Sequence, residues 1–227
     1  MISGCFVTAT GTSAGKTWMA RGLARALVRS GRPVAALKPI ETGCTPDPSD
    51  AVALARACAQ PALAFAPGLY RAPQPLAPHA VWLETGAPPP DLVPLARLTH
   101  TLAGDGEFVL VEGAGGLLTP VDAAHTLADF ALALALPLVL VAPDALGVIS
   151  HVLTAIESAR ARRLRVIAVV LCTHGTSADD PSRRTNRHIL GERLQVPVLA
   201  FERCPDADDA LADAAERCGL LALFDPR

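Results

Sequence analysis

Six short runs, apolar almost throughout and rich in β-branched residues, recur along the chain: Cys5–Thr8, Val34–Leu37, Phe108–Val111, Leu138–Val141, Val166–Leu171 and Val196–Leu199. A strand with one wet face alternates apolar and polar residues, whereas a near-continuous apolar strand must be covered on both faces. Between the runs, apolar residues recur at helical spacing over roughly 16–30, 50–59, 91–103, 123–135, 147–163, 183–194 and 207–218, several of them opened by Asp or Ser. Strands alternating with helices predict an α/β fold: a three-layer sandwich whose mostly parallel central sheet carries helices on both faces. Ligands of such sheets gather at the carboxyl ends of the strands, so functional residues are expected just after each run. A length of 227 residues suits one domain spanning 1–227.

The hydrophobic fraction of 51% and charged fraction of 19% exclude a disordered chain. A formal charge of -2, with no basic stretch interleaved with aromatics, argues against a nucleic-acid partner. The longest greasy stretch, Phe130 to Pro143, is broken by Pro137 and bracketed by Asp129 and Asp144. A spanning helix needs about 20 apolar residues, so no membrane segment is expected. The start, Met1-Ile2-Ser3-Gly4, lacks a basic flank followed by an apolar region and does not read as an export leader. The six cysteines show neither a C-x-x-C pair nor zinc-finger spacing, and they read as reduced, mostly buried residues. The six histidines show no ligand spacing; none is assigned to catalysis, although His79 could line a substrate pocket.

Irregularity concentrates in a proline-rich insertion over about 44–90, where only a short helix from Asp50 to Ala59 is expected. A second polar loop runs from Thr173 to Arg187. Tyr70 and Trp82 are left to packing, the default also for Trp18, which otherwise falls on the nucleotide side of the first turn.

Of the 20 basic residues, 18 are arginine; lysine survives only at 16 and 38. GC-rich coding bias accounts for the missing lysines but not for where the survivors sit. A compact ammonium on a flexible stem enters a phosphate cradle that a planar guanidinium does not fit. Lys16 lies in Thr8-Ala9-Thr10-Gly11-Thr12-Ser13-Ala14-Gly15-Lys16-Thr17, directly between the first strand and the first helix. There backbone N–H groups from Ser13 to Gly15 and the helix N-terminus hold phosphate oxygens, Lys16 reaches the terminal phosphates, and the Thr17 hydroxyl ligates Mg²⁺. The strict G-x-x-x-x-G-K-[ST] pattern is incomplete, because Thr10 occupies its first glycine position. The bland reading is an ordinary turn between strand and helix; the strand–turn–helix context favours phosphate binding.

Two further signatures follow strands. Val111-Glu112-Gly113-Ala114-Gly115-Gly116 puts an acid suited to a Mg²⁺ shell at a strand end, with glycines that let backbone approach a ligand. Lys38-Pro39-Ile40-Glu41-Thr42-Gly43 puts the second lysine opposite the γ-phosphate region, and Ser49-Asp50 opens the next helix. Asp50 is either a first-turn acid of that helix or a further Mg²⁺ contact.

In order, T-x-T-G-T-x-x-G-K-T, K-P-I-x-T-G, S-D-A, A-P-H, V-E-G-A-G-G with a following T-P, an A-D in one helix and an L-G opening another resemble dethiobiotin synthetases of the signature-motif P-loop ATPase superfamily. The match runs from about residue 2 to 160. The resemblance implies a cytoplasmic homodimer that uses ATP and Mg²⁺ to join 7,8-diaminopelargonate and CO₂ into a cyclic urea, through a carbamate and a carbamic–phosphoric anhydride. It implies catalytic roles for Lys16, Lys38 and Thr12, and Mg²⁺ held by Thr17, Asp50 and Glu112. It further implies nucleotide contacts from Ser13 to Trp18, from Glu112 to Gly115 and at Cys172 and Thr173. The substrate would meet Thr42 and, across the dimer interface, the helix start Gly147-Val148-Ile149-Ser150, whose amides would bind its carboxylate. The chain departs from the family at Ala9, usually glycine, at Ser13, often an acid, and at Cys172, usually an adenine-binding asparagine for which Thr173 or His174 could stand in. Residues 200–205 match the family's base loop poorly. Two other readings are a paralogue that binds nucleotide without ligase activity and a partitioning-type ATPase. The latter carries a second lysine where this chain has Gly11.

Overall fold

The computed structural model describes residues 3–177 and 179–224. Met1, Ile2, Ala178 and residues 225–227 of the expected single domain lie outside the described residues. Each of the six apolar runs forms a strand of one sheet: β1 (Gly4–Ala9), β2 (Val34–Leu37), β5 (Phe108–Glu112), β6 (Leu138–Pro143), β7 (Val166–Cys172) and β8 (Val198–Phe201). Their order is β2-β5-β1-β6-β7-β8, and every pairing is parallel. β1 is central, with the chain crossing to β2 on one side before β5 fills the gap and β6 follows on the other. That reversal at β1 opens a crevice beyond the strand ends.

Helices cover both faces. Alternation along β1 sends Cys5, Val7 and Ala9 into one core with α1 (Lys16–Arg29), α2 (Ser49–Ala57) and α8 (Asp208–Arg217). Phe6 points the other way, meets Phe130 edge-to-face with ring centroids 6.0 Å apart, and packs with α4 (Leu92–Leu102) and α5 (Leu127–Leu134). Under α6 (Val148–Ala161) and α7 (Arg183–Arg193) lie Leu140, Val169 and Leu171 of the same face.

The structure corrects the expected elements in three places. The helix expected from about 123 begins at Leu127, because Thr126 and Asp129 close a reciprocal capping box there. The last strand starts at Val198, not Val196: Pro197 has no N–H for the ladder and only lends its carbonyl to Val169 N, at 3.0 Å. The insertion is far more ordered than expected. Besides α2 it contains a 3₁₀ turn at Pro61–Phe65, β4 (Tyr70–Ala72) and α3 (Pro78–Thr85), and β4 pairs in parallel with β3 (Ile40–Thr42). Proline works there as a starter, since Pro78 occupies the first turn of α3, where a missing N–H costs nothing.

α1 carries the phosphate loop at its start and is held along its length by α8. Arg21 pairs with Asp206 at 2.7 Å and with Asp208 at 2.8 Å, Arg25 with Asp209 at 2.7 Å, and Arg29 with Asp213 at 2.6 Å. Exposed pairs contribute individually only about 0–1 kcal/mol, so close backbone packing is the stronger tie. Gly22 supplies it: a Cβ built there falls 2.5 Å from the Leu211 carbonyl oxygen. Gly22→Ala is expected to destabilise the protein by about 1–3 kcal/mol in denaturant titration. Gly191→Ala in α7, where a Cβ meets nothing within 4 Å, is expected to stabilise it by about 0.4–1 kcal/mol.

Candidate active site

Sheet register assembles the site. Leu37 pairs with Val111 and Val7 with Glu112, so Lys38, Glu112 and the loop after β1 emerge side by side at the carboxyl edge. Lys38 is 6% exposed and Glu112 1% exposed. An isolated buried ammonium costs several kcal/mol, so Lys38 must be paired. Its Nζ donates to Glu112 Oε1 at 2.8 Å and also to Asp50. Thr17 Oγ1, at the start of α1, donates to the same Glu112 oxygen at 2.9 Å. Burial works to discharge Lys38, but the two carboxylates outweigh it and hold its pKa above the ordinary lysine value.

Lys16 reaches back over its own loop to donate to the Gly11 carbonyl at 3.1 Å. Burial is the largest influence on it; Glu112 opposes burial, Lys38 adds to it, and the pKa comes down to about 8. Gly15 caps α1 with φ +91, and a Cβ there would fall 2.4 Å from the Cys172 sulfur. Only glycine fits between loop and strand end. Ser13 also sits at positive φ, 56, which turns successive loop amides inward as an anion nest does.

A cavity of about 840 Å³ opens over these groups. Thr12 through Trp18, Lys38, Thr42, Asp50, Glu112, Ala114 and Gly115 all line it. Gly113 does not; it packs on β1, where a Cβ would come 2.8 Å from the Phe6 ring. Cys172 is wholly buried behind Gly15, and burial lifts its thiol to about 11. The Thr173 hydroxyl accepts from Arg203 N at 2.7 Å and so tethers the 200–205 loop. The wall at that end is His174, stacked on Trp18 with ring centroids 3.6 Å apart and planes 19° apart. Gly147, Ile149 and Ser150 line a separate cavity at the start of α6, while Val148 is buried. Gly147 caps α6 with φ 91 and no side-chain hydrogen bond; Val148 N donates to the Ala145 carbonyl at 3.1 Å, and the amides of Ile149 and Ser150 stay open. His79 itself is tilted against Trp82; its neighbours Ala77 and Pro78 line the main cavity.

Two residues that motif reading passed over shape this site. Glu41 accepts from the backbone N–H groups of Asp50 and Ala51 at 2.9 and 3.0 Å. Arg71 donates to the carbonyls of Lys38 and Tyr70, each at 2.9 Å, and of Ala64 at 3.2 Å, fixing the backbone of the lysine from β4. Two acids within one strand–loop–helix stretch, Glu41 and Asp50, were the only signal for the first. Nothing local announced the second.

The donor set suits a small hard cation. Glu112 Oε2 is buried with no hydrogen-bond partner, and the Thr17 hydroxyl contacts the other oxygen of the same carboxylate. No cluster of three or more His, Cys, Asp or Glu side chains able to hold a metal exists among the described residues. One or two carboxylates and a hydroxyl, with water and phosphate completing the shell, is how Mg²⁺ is commonly held and not how zinc is.

A parallel sheet whose first strand runs through a glycine loop into a Lys-Thr helix start is the P-loop nucleoside triphosphatase fold. The crystal structure of the signal recognition particle 54 kDa protein from Aeropyrum pernix K1 in complex with GDP shares it, with a TM-score of 0.51 and 14% identity over 97% of this chain and 47% of that one. An AAA-domain family model matches residues 3–202. Proteins named ATP-dependent dethiobiotin synthetase BioD are similar over 78% to 100% of their length. That of Caulobacter sp. (strain K31) is 41% identical over 92% of both chains, and that of Anaeromyxobacter sp. (strain K) 40% over 80% of this chain and 81% of its own. The protein of Acidiphilium cryptum is 35% identical over 95% of this chain and its own full length. The chain belongs to the ATP-dependent dethiobiotin synthetases, ligases that form carbon–nitrogen bonds.

ATP use and the lowered pKa of Lys16 generate a proton-linkage expectation. A triphosphate against Lys16 stabilises its charged form, so binding raises its pKa and takes up protons where the free group is partly neutral. At about pH 8.5, above the terminal phosphate's own titration, ATP binding is expected to show a calorimetric heat that varies with buffer ionisation enthalpy in the direction of proton uptake. Lys16→Met should remove that dependence. Proton release by the unsubstituted protein would refute the assignment.

Proposed function

We propose that this protein closes the ureido ring of 7,8-diaminopelargonate with CO₂, driven by Mg²⁺ and ATP. The observation that carries the reading is the buried Lys38 ammonium, held between Glu112 and Asp50 at the mouth of a phosphate loop. One substrate amine takes up CO₂ as a carbamate, a carbamate oxygen attacks the γ-phosphorus and releases ADP, and the second amine displaces phosphate to form dethiobiotin. Phosphoryl transfer needs mostly positioning and neutralised charge. Lys16 and Lys38 neutralise the γ-phosphate and carbamate oxygens, and Thr12 and Thr42 offer hydroxyls to the carbamate and amines. Thr17, Asp50 and Glu112 would hold Mg²⁺, which supplies charge neutralisation between the phosphates.

In this reading the α6 N-terminus, Gly147 to Ser150, receives the substrate carboxylate across a homodimer interface, and the enzyme works in the cytoplasm. Support for the carboxylate site is the first turn of α6, where no side chain caps the amides of Ile149 and Ser150, and the 84% exposure of Leu146 beside it. No described helix is long and apolar enough to cross a membrane.

Purified protein incubated with 7,8-diaminopelargonate, bicarbonate, Mg²⁺ and ATP is expected to yield dethiobiotin by mass spectrometry. Lys38→Met should lower kcat by at least about 100-fold, the scale of losing a charged transition-state contact. Absence of product from folded, nucleotide-binding protein would sink the ligase reading.

A further inference from the structure

The segment Lys38-Pro39-Ile40-Glu41-Thr42-Gly43 contains one acid to which the reaction above assigns no task. Glu41 is 4% exposed, almost as buried as Lys38 and Glu112. Its carboxylate forms no ion pair; both oxygens are spent on backbone N–H groups at the start of α2, Oε1 on Asp50 and Oε2 on Ala51. The helix has no side-chain cap of its own, since Pro48 precedes it. A carboxylate there satisfies two donors that the helix leaves open and lies at the positive end of its dipole.

The residue fixed in this way is Asp50. Its side chain is 40% exposed, and its carboxylate accepts from Lys38. With so little packing around the carboxylate, its distance to Lys38 depends on where the first turn of α2 sits. Glu41 sits in β3, three residues after Lys38, so one short stretch sets both ends of the Lys38–Asp50 pair.

We propose that Glu41 is a positioning residue that acts through Asp50, holding it against Lys38 and thereby setting how the Lys38–Asp50–Glu112 cluster receives Mg²⁺ and the nucleotide phosphates. A carboxylate buried this deeply costs free energy unless its hydrogen bonds are made, and both of its oxygens are bonded to the start of α2. The inference rests on the proposed Mg²⁺ roles of Asp50 and Glu112, and on the proposed reaction for its turnover readout.

The test is a double-mutant cycle between Glu41→Gln and Asp50→Asn, with two measurements. The first is the Mg²⁺ concentration giving half-maximal ATP binding by calorimetry. The second is kcat and KM for the diamine in dethiobiotin formation. Each single variant is expected to raise the Mg²⁺ midpoint by about tenfold and to lower kcat by about tenfold or more, the scale of one charged hydrogen bond, with KM for the diamine unchanged. The double variant should be no worse than Asp50→Asn alone. Losses that multiply, an unchanged Mg²⁺ midpoint for Glu41→Gln, or a rise in diamine KM with kcat intact would overturn the proposal. If Glu41→Gln does not fold, Glu41→Asp enters the same cycle, since it keeps the charge and shortens the reach by one methylene. If the unsubstituted protein forms no dethiobiotin, the proposed reaction fails while the Mg²⁺ titration still decides the role of Glu41.

Discussion

A positive charge buried beneath a phosphate loop is the constraint around which this molecule is arranged. Lys38 emerges from β2 into a place with almost no solvent, where an unpaired ammonium would lose its proton or unfold its surroundings. Two carboxylates keep it charged, and they come from opposite directions: Glu112 from the neighbouring strand and Asp50 from a helix outside the sheet. The first follows from sheet register alone. The second needs the insertion to bring α2 back over the strand ends, which it does with Glu41 and Arg71 as backbone anchors.

The same economy of space governs the loop after β1. Gly15 lies against the Cys172 thiol with no room for a methyl group, and Gly113 lies close against Phe6. Loop, strand β5 and strand β7 are therefore packed without a gap around Lys16, Thr17 and Glu112. A buried thiol in this position supports the phosphate loop from behind. The aromatic pair Trp18 and His174 takes over the wall of the cavity at that end.

The placement of cavity-lining residues was legible where it is set locally. Lys16 and Thr17 followed from a strand, a glycine turn and a helix in direct succession, and Glu112 and Lys38 from their places at strand ends. Tasks created by contacts between distant segments were not legible. Arg71 looked like any arginine in a proline-rich loop until β4 paired with β3 and brought it under the Lys38 carbonyl. Cys172 stood in register with a base-binding position, yet its side chain is wholly buried behind Gly15.

The amino-acid order by itself determined the alternation of strands and helices, the sheet covered on both faces, the phosphate loop and the family. These depend on periodicity and on neighbours within one strand–turn–helix unit, which physical chemistry reads along the chain. Only the tertiary structure decided how charge is distributed in the site. The pairing of Lys38 with two acids, the lowered pKa of Lys16 and the bracing of Asp50 by Glu41 all arise from burial, and burial belongs to the packed molecule, not to any segment of it.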